Sequence, residues 1–238
     1  NAVSIASREL ENSPSVANRL DLAVYQYALA SSLIENGEVE GGERFLRIVI
    51  DALRSSAFDE LRRDVARAES FEVYSTARGE SAAYLSLLNR AQLRLGALME
   101  KQGDEAEARR QYQRVLESRT DDATALAGLA RLGQGQERSR NFAAAFEANP
   151  FSMTLVRDYQ RHLEQSPDRS DAAASTTGAR VRRALHLIAR GETRAARTSL
   201  DALLAEYPEN ETLRTLRRET EAGPEVPTFL NGSSEPES

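Results

Sequence analysis

The chain has 238 residues and a formal net charge of -6, which is enough length for a hydrophobic core but not the dense positive charge that nucleic-acid binding needs. It contains no cysteine, which excludes disulfides, thiol nucleophiles and thiolate zinc sites. Because no apolar stretch approaches the roughly 20 residues that cross a bilayer, we expect no membrane insertion. The sequence fits a soluble protein of the cytoplasm, or of the periplasm if an export signal has been removed.

The composition favours helices. Charged residues make up 29% of the chain and alternate with Ala and Leu, as amphipathic helices require. The few Gly and Pro residues stand between the periodic segments, where they mark turns. Lys101 is the only lysine, and we interpret the dominance of arginine as the codon bias of a GC-rich bacterial genome.

The first predicted hairpin lies near the start of the chain. A helix starts at Ser13-Pro14 and ends at Asn36-Gly37, and a second follows from Glu38 to about Arg54. Their apolar residues recur at three- and four-residue steps, which places them on one face of each helix. The stripes consist of Leu22, Tyr25, Leu29 and Leu33 in the first helix, and Phe45, Leu46, Val49, Ile50 and Leu53 in the second.

Three more helices follow. One extends from about Phe58 to Thr76 and is ended by Gly79. The next two run from Ser81 to Gln102 and from Glu105 to about Ser118. At the start of the latter, Asp104 and Glu107 have the spacing of a capping box.

One segment repeats elsewhere with a period near 34 residues. Residues 89–122 place Leu95-Gly96 in a first helix, Gly103-Asp104 at the turn, and Ala108 with Tyr112, Val115 and Leu116 in a second helix. This pattern resembles the tetratricopeptide repeat. We expect Gly96 and Ala108 to lie where the two helix backbones approach closely.

Weaker copies of this pattern are predicted at 23–56 and 177–210, with a clipped copy at 123–150. A lone helix near 152–163, a polar loop at 166–178 and a capping helix at 211–219 complete the domain, which we assign to residues 1–222. We expect the tail at 223–238 to be disordered. The positions where the family often has an aromatic residue instead hold Gln26, Gln92, Leu126, Thr154 and Arg180. The resemblance implies an all-α, right-handed α-solenoid of helical hairpins with extra helices, in a divergent family member.

No residue pattern predicts catalysis, a metal site or a cofactor. His162 and His186 lack a neighbouring ligand at metal-binding spacing, so we interpret both as surface or boundary residues. The carboxylate pair at Asp121 and Asp122 is explained by helix capping. The glycine-rich segment at 128–135 lacks the Lys and Ser/Thr of a phosphate-binding loop, and we interpret it as a turn.

The resemblance implies a concave groove, lined by the first helix of each repeat, that binds a partner protein or peptide. The expected partner-binding residues are Tyr27, Ser31, Arg90, Arg94, Ala97, Lys101 and Arg131. Their charge would suit an acidic peptide or a free carboxylate terminus. The alternative interpretation is that these arginines form an ordinary solvated helix face.

Two other functions fit the same pattern. The chain could be a docking domain cut from a larger enzyme or assembly, or it could associate with a second copy of itself through the third predicted helix. The apolar residues proposed for self-association are those around Phe58 and Phe71.

Overall fold

The structure is a computed structural model that describes residues 2–13, 15–67, 79–165 and 176–221. The chain divides into two compact units between Thr120 and Asp121. The first contains α1 Ala2–Asn12, α2 Val16–Glu35, α3 Val39–Arg54, a 3-10 helix at Ser56–Phe58, α4 Asp59–Arg67, α5 Gly79–Gln102 and α6 Glu105–Ser118. The second contains α7 Ala123–Leu132, α8 Gly135–Ala148, α9 Met153–Gln165, α10 Thr177–Ala189, α11 Thr193–Glu206 and α12 Glu211–Glu219.

The all-α class predicted from the sequence is confirmed, since the described residues contain helices and no strand. Consecutive helices pack as hairpins, which are the building units of an α-solenoid. Helix pairs lie where the weaker repeat copies are predicted, but their assignment as family repeats stays a prediction. So does the single domain over residues 1–222, and the tail at 223–238 lies outside the described residues.

Polar side chains cap the starts of several helices. Asp104 accepts a hydrogen bond from the Glu107 amide at 3.0 Å, and Asp122 accepts from the amides of Thr124 and Ala125. The capping roles predicted for these two aspartates are confirmed. The cap of α2 is Ser15, which accepts from the Asn18 amide, so α2 begins at Val16 and not at the predicted Ser13-Pro14.

The hairpin of α5 and α6 is held by a close helix contact. A Cβ atom at Gly96 would lie 2.9 Å from Cε1 of Tyr112, whose ring is buried, and Ala108 is fully buried. Gly96 is therefore a close contact between the two helices, but the contact is with the Tyr112 ring, and the predicted close approach of the two backbones at Gly96 and Ala108 stays a prediction. Gly103 turns the chain between the two helices with a φ of 83°, a conformation that glycine adopts without steric cost.

In the hairpin of α2 and α3, the predicted stripe of α2 is correct only in part, since Leu22, Leu29 and Leu33 are half-buried and Tyr25 is exposed. Ala23 and Ala30 are buried, whereas Tyr25 is 44% exposed. A Cβ atom at Gly42 would lie 3.0 Å from the Ala30 carbonyl oxygen. Ile34 also lies against Gly42 and Leu33 against Gly41, so the interface combines alanines with larger aliphatic side chains, while Tyr25 is exposed.

The segment after α3 contains the described start of the helix predicted from about Phe58 to Thr76. Its described part is the short 3-10 helix followed by α4, and residues 68–78 lie outside the described residues. Gly79 is the first residue of α5, whereas the sequence predicted that this helix begins at Ser81. Phe58 is only 2% exposed and stacks on Tyr84 at a ring distance of 5.5 Å. The prediction that Phe58 mediates self-association was therefore wrong, while Phe71 is outside the described residues.

The second unit is built from two hairpins, α7 with α8 and α10 with α11, and from α9 and α12. The hairpins meet where α10 begins, since a Cβ atom at Gly178 would lie 2.4 Å from the Phe146 carbonyl oxygen. The capping helix α12 buries Leu213 and Leu216 against its neighbours. Gly128 lies inside α7, so the turn predicted over 128–135 was too long.

Both histidines pack around Tyr159 in the core of the second unit. His162 and His186 are 8% and 7% exposed, so the prediction that they are surface or boundary residues was wrong. The Tyr159 ring lies 5.1 Å from Phe142 and 5.7 Å from His186. His162 stacks on Phe142 at 5.4 Å. These four rings form an aromatic cluster that joins α8, α9 and α10.

Candidate partner-binding face

Six of the seven predicted partner-binding residues lie on two helices of the first unit that contact each other, α2 and α5. We call this surface the α2/α5 face, and it comprises Tyr27, Ser31 and Glu35 of α2 and Arg90, Arg94, Ala97 and Lys101 of α5. On each helix the residues are spaced three or four apart, which places them along one side. The two helices therefore present two parallel rows of side chains.

Tyr27 and Arg90 form the first contact across the two rows. The guanidinium carbon of Arg90 lies 4.9 Å from the centroid of the Tyr27 ring, within the range of a cation–π interaction. Arg90 remains exposed and Tyr27 is half-buried. The ring thus orients the guanidinium while leaving it accessible to a ligand.

Arg94 forms the second contact. Its Nη2 donates to Oε1 of Glu35 at 3.1 Å and to the carbonyl oxygen of Ser31 at 3.4 Å. The Arg94 side chain is 33% exposed and that of Glu35 is 68% exposed. The predicted residue Ser31 contributes its backbone oxygen to this contact. The guanidinium is therefore held in place by the last turns of α2.

The α5 row continues beyond Arg94. Ala97 is half-buried, and Lys101 is exposed in the last turn of α5. A cation there interacts favourably with the partial negative charge of the helix C-terminus. The face therefore carries the charges of Arg90, Arg94 and Lys101, partly offset by Glu35.

Glu35 is the residue of this face that the sequence analysis missed. Its position four residues after Ser31 on α2 is the signal that would have placed it in the same row. The sequence alone does not bring α2 and α5 together, because the two helices are separated by α3 and α4 along the chain. The charge of the face is consequently less positive than the predicted residues imply.

Arg131, the seventh predicted residue, belongs to the second unit. It lies on α7 and forms an ion pair with Asp158 of α9 at 2.7 Å. The Asp158 side chain is only 11% exposed, so the pair links two helices at the edge of the core. A partner-binding role for Arg131 stays a prediction.

A polar network links α3 to the hairpin that carries Arg90 and Arg94. Arg47 of α3 contacts Glu43, Sδ of Met99 and, at 3.8 Å, Glu107. Burial alone would raise the pKa of the Glu107 carboxyl, but hydrogen bonds from Gln111 and Arg110 and the charge of nearby Arg47 lower it below its ordinary value. The ionised carboxylate thus helps to fix α3 and α6 beside α5.

The second unit has a groove of its own, with a volume of about 990 Å³, between α10 and the first part of α11. It contains none of the predicted partner-binding residues. Small side chains of α11 and two arginines line much of it, including Arg183, Leu187, Arg194, Ala195, Thr198 and Ala202. Residue spacing alone did not single out this groove, because its residues fit an ordinary amphipathic hairpin.

Within the described part of the chain, no helix is long and apolar enough to span a membrane. The same residues contain no group of three or more His, Cys, Asp or Glu side chains arranged to hold a metal ion.

Comparison with known proteins gives one family match. The family model described as tetratricopeptide repeat matches residues 90–122, the segment that forms most of α5, the Gly103 turn and α6. A search of curated proteins finds no match to the chain. The match covers the repeat that supplies Arg90, Arg94, Ala97 and Lys101 to the α2/α5 face. Residues 90–122 are therefore similar to a tetratricopeptide repeat, a helical unit of the kind that mediates protein–protein interaction.

Proposed function

We propose that the chain is a non-catalytic interaction module that binds an acidic segment of a partner protein along the α2/α5 face. The observation that carries this proposal is the contact of Tyr27 and Glu35 on α2 with Arg90 and Arg94 on α5. Two arginines held in fixed positions lose less conformational freedom on binding than arginines on an isolated helix. The face is therefore preorganised for anionic groups.

The charge of the face favours acidic partners. Arg90, Arg94 and Lys101 lie within twelve consecutive positions of α5, at steps of four and seven residues. A helix rises about 1.5 Å per residue, so these cations extend over roughly 16 Å. Carboxylates of an extended acidic peptide would accept charge-assisted hydrogen bonds from them. Nucleic acid is a poorer candidate, since the chain as a whole carries a net charge of -6.

Exposed apolar surface beside the cations supports a protein partner. Val24 is 44% exposed and lies one turn before Tyr27 on α2. An apolar side chain of the partner would bury this surface together with the edge of the Tyr27 ring. Interfaces commonly combine aromatic and arginine anchors with a surrounding polar rim. The groups on this face supply charge, hydrogen bonds and an aromatic ring, which suffice for binding without chemical conversion.

The experiment measures binding of a short fluorescein-labelled peptide of glutamates by fluorescence anisotropy. A peptide of glutamines with the same label serves as the uncharged probe. We expect the double variant Arg90→Glu/Arg94→Glu to weaken binding of the glutamate peptide about tenfold or more, since rigidly held charge pairs at interfaces couple strongly. Affinity of the wild-type chain should also fall as salt concentration rises.

The control is the double variant Arg44→Glu/Arg63→Glu, which makes the same charge change at exposed positions of α3 and α4. We expect this control to change binding much less, and circular dichroism should report the same helicity for all three proteins. Equal weakening by the two double variants would mean that only net charge matters. Equal binding of the two peptides by the wild-type chain would likewise contradict an acidic partner.

A further inference from the structure

Glu35 occupies an unusual position for a carboxylate. It is the last residue of α2, where the helix dipole places partial negative charge and disfavours an anion. Its carboxylate nevertheless lies 3.1 Å from Nη2 of Arg94 across the two rows of the α2/α5 face. The contact with Arg94 is thus the favourable interaction that this carboxylate makes in the structure.

The ion pair is easily opened. The side chain of Glu35 is 68% exposed, and an exposed ion pair of this kind contributes little stability because water solvates both partners well. Arg94 is better fixed, since its Nη2 also donates to the backbone oxygen of Ser31. A competing carboxylate would therefore find the guanidinium in place and would have to displace only the Glu35 side chain.

We propose that Glu35 is an internal competitor that occupies the carboxylate position of Arg94 until an acidic segment of the partner replaces it. This inference rests on the proposed function of the α2/α5 face. A ligand with a single carboxylate binds Arg94 too weakly to displace Glu35. A segment that also binds Arg90 and Lys101 displaces it. Glu35 therefore lowers the affinity for acidic segments and favours those with several carboxylates.

The first measurement compares Glu35→Gln with Glu40→Gln, using the glutamate peptide and the anisotropy assay. Both variants remove one exposed negative charge, and Glu40 lies in the first turn of α3. We expect Glu35→Gln to tighten binding about three- to tenfold, since the peptide no longer competes with an intramolecular carboxylate. Glu40→Gln should change the affinity less than about twofold, in line with screened long-range electrostatics.

A second measurement separates competition for Arg94 from simple repulsion by the Glu35 charge. In a background carrying Arg94→Gln, competition predicts that Glu35→Gln no longer changes the affinity, because the contested guanidinium is gone. Repulsion through space predicts that the gain persists. Circular dichroism and thermal unfolding of all variants check that the fold is retained.

The outcomes distinguish the two proposals. If Arg90→Glu/Arg94→Glu weakens binding but Glu35→Gln has no larger effect than Glu40→Gln, the competitor role is wrong and the proposed function stands. A gain that survives in the Arg94→Gln background also overturns the competitor role. If the wild-type chain does not bind the glutamate peptide and Glu35→Gln does not create binding, both proposals are contradicted.

Discussion

The phenol oxygen of Tyr159 lies 2.8 Å from Nε2 of His186 in the core of the second unit. The bond joins α9 to α10, and the Tyr159 ring also contacts Phe142 and Phe146 of α8. Loss of a buried hydrogen bond destabilises a fold, because the remaining polar atom is left without a partner and away from water. The bond should therefore contribute to the stability of the second unit.

We predict that Tyr159→Phe lowers the free energy of unfolding by about 1–2 kcal/mol, the usual effect of losing a buried hydrogen bond. Urea unfolding followed by circular dichroism measures this change. Tyr207→Phe is the matched control, because the hydroxyl of Tyr207 lies 3.1 Å from that of Thr177 in a half-buried position. A loss of stability no larger for Tyr159→Phe than for Tyr207→Phe would contradict the prediction.

Two glycines inside helices should respond in opposite ways to alanine. Gly96→Ala places a methyl group 2.9 Å from the Tyr112 ring, and the ring is held by a hydrogen bond from its hydroxyl to Glu100 at 2.8 Å. We expect this variant to lose about 1–3 kcal/mol of stability through overpacking. Gly41→Ala should gain up to about 1 kcal/mol from its better helix propensity, because its nearest contact is 3.5 Å.

The test compares the midpoint temperature of thermal unfolding of each glycine variant with that of the wild-type chain. The midpoint should fall for Gly96→Ala and remain equal or rise for Gly41→Ala. If both midpoints moved upward, the close approach of α5 and α6 would not be a steric constraint.

The lowered pKa of Glu107 predicts a pH-dependent contribution to stability. A carboxyl whose pKa is lower in the folded chain stabilises the fold above its unfolded pKa, and the contribution disappears as the pH falls through the folded pKa. We expect Glu107→Gln to cost about 1–2 kcal/mol near neutral pH. This difference from the wild-type chain should shrink progressively as the pH is lowered below about 4.

Urea unfolding at a series of pH values tests this sign. The variant Glu105→Gln, at an exposed position of the same first turn of α6, controls for loss of a charge near the helix N-terminus. A difference between Glu107→Gln and the wild-type chain that grew toward acid pH would contradict the prediction.

Local features of this fold could be predicted from the sequence because they depend on neighbouring residues. The capping by Asp104, the turn at Gly103 and the close contact at Gly96 each follow from spacing within about 16 residues of one repeat. In the α2/α5 face, the row of residues on α5 could also be predicted, because it too depends only on local spacing. Its residues follow the period of one helix within the best-matching repeat.

Features that depend on distant contacts could not be predicted. Helix α1 was missed, although Ala6 is buried, because its short apolar pattern resembles an irregular terminus. Tyr25 was assigned to the buried face because spacing alone does not reveal that the small residues Ala23 and Ala30 are the more deeply buried ones. The burial of His162 and His186 results from packing between α8, α9 and α10, which no segment encodes by itself. The same applies to Glu35, whose partner Arg94 is 59 positions away.

The contact at Gly178 limits which amino-acid substitutions this chain can accept during evolution. A side chain there would meet the backbone of Phe146 and the following residue, and backbone atoms cannot rotate away as the tip of a flexible side chain can. Substitutions at exposed positions of α10 would leave this contact unchanged, but a larger residue at Gly178 would require the helix to move. Natural variation in the second unit should therefore accumulate around this position and leave the glycine itself unchanged.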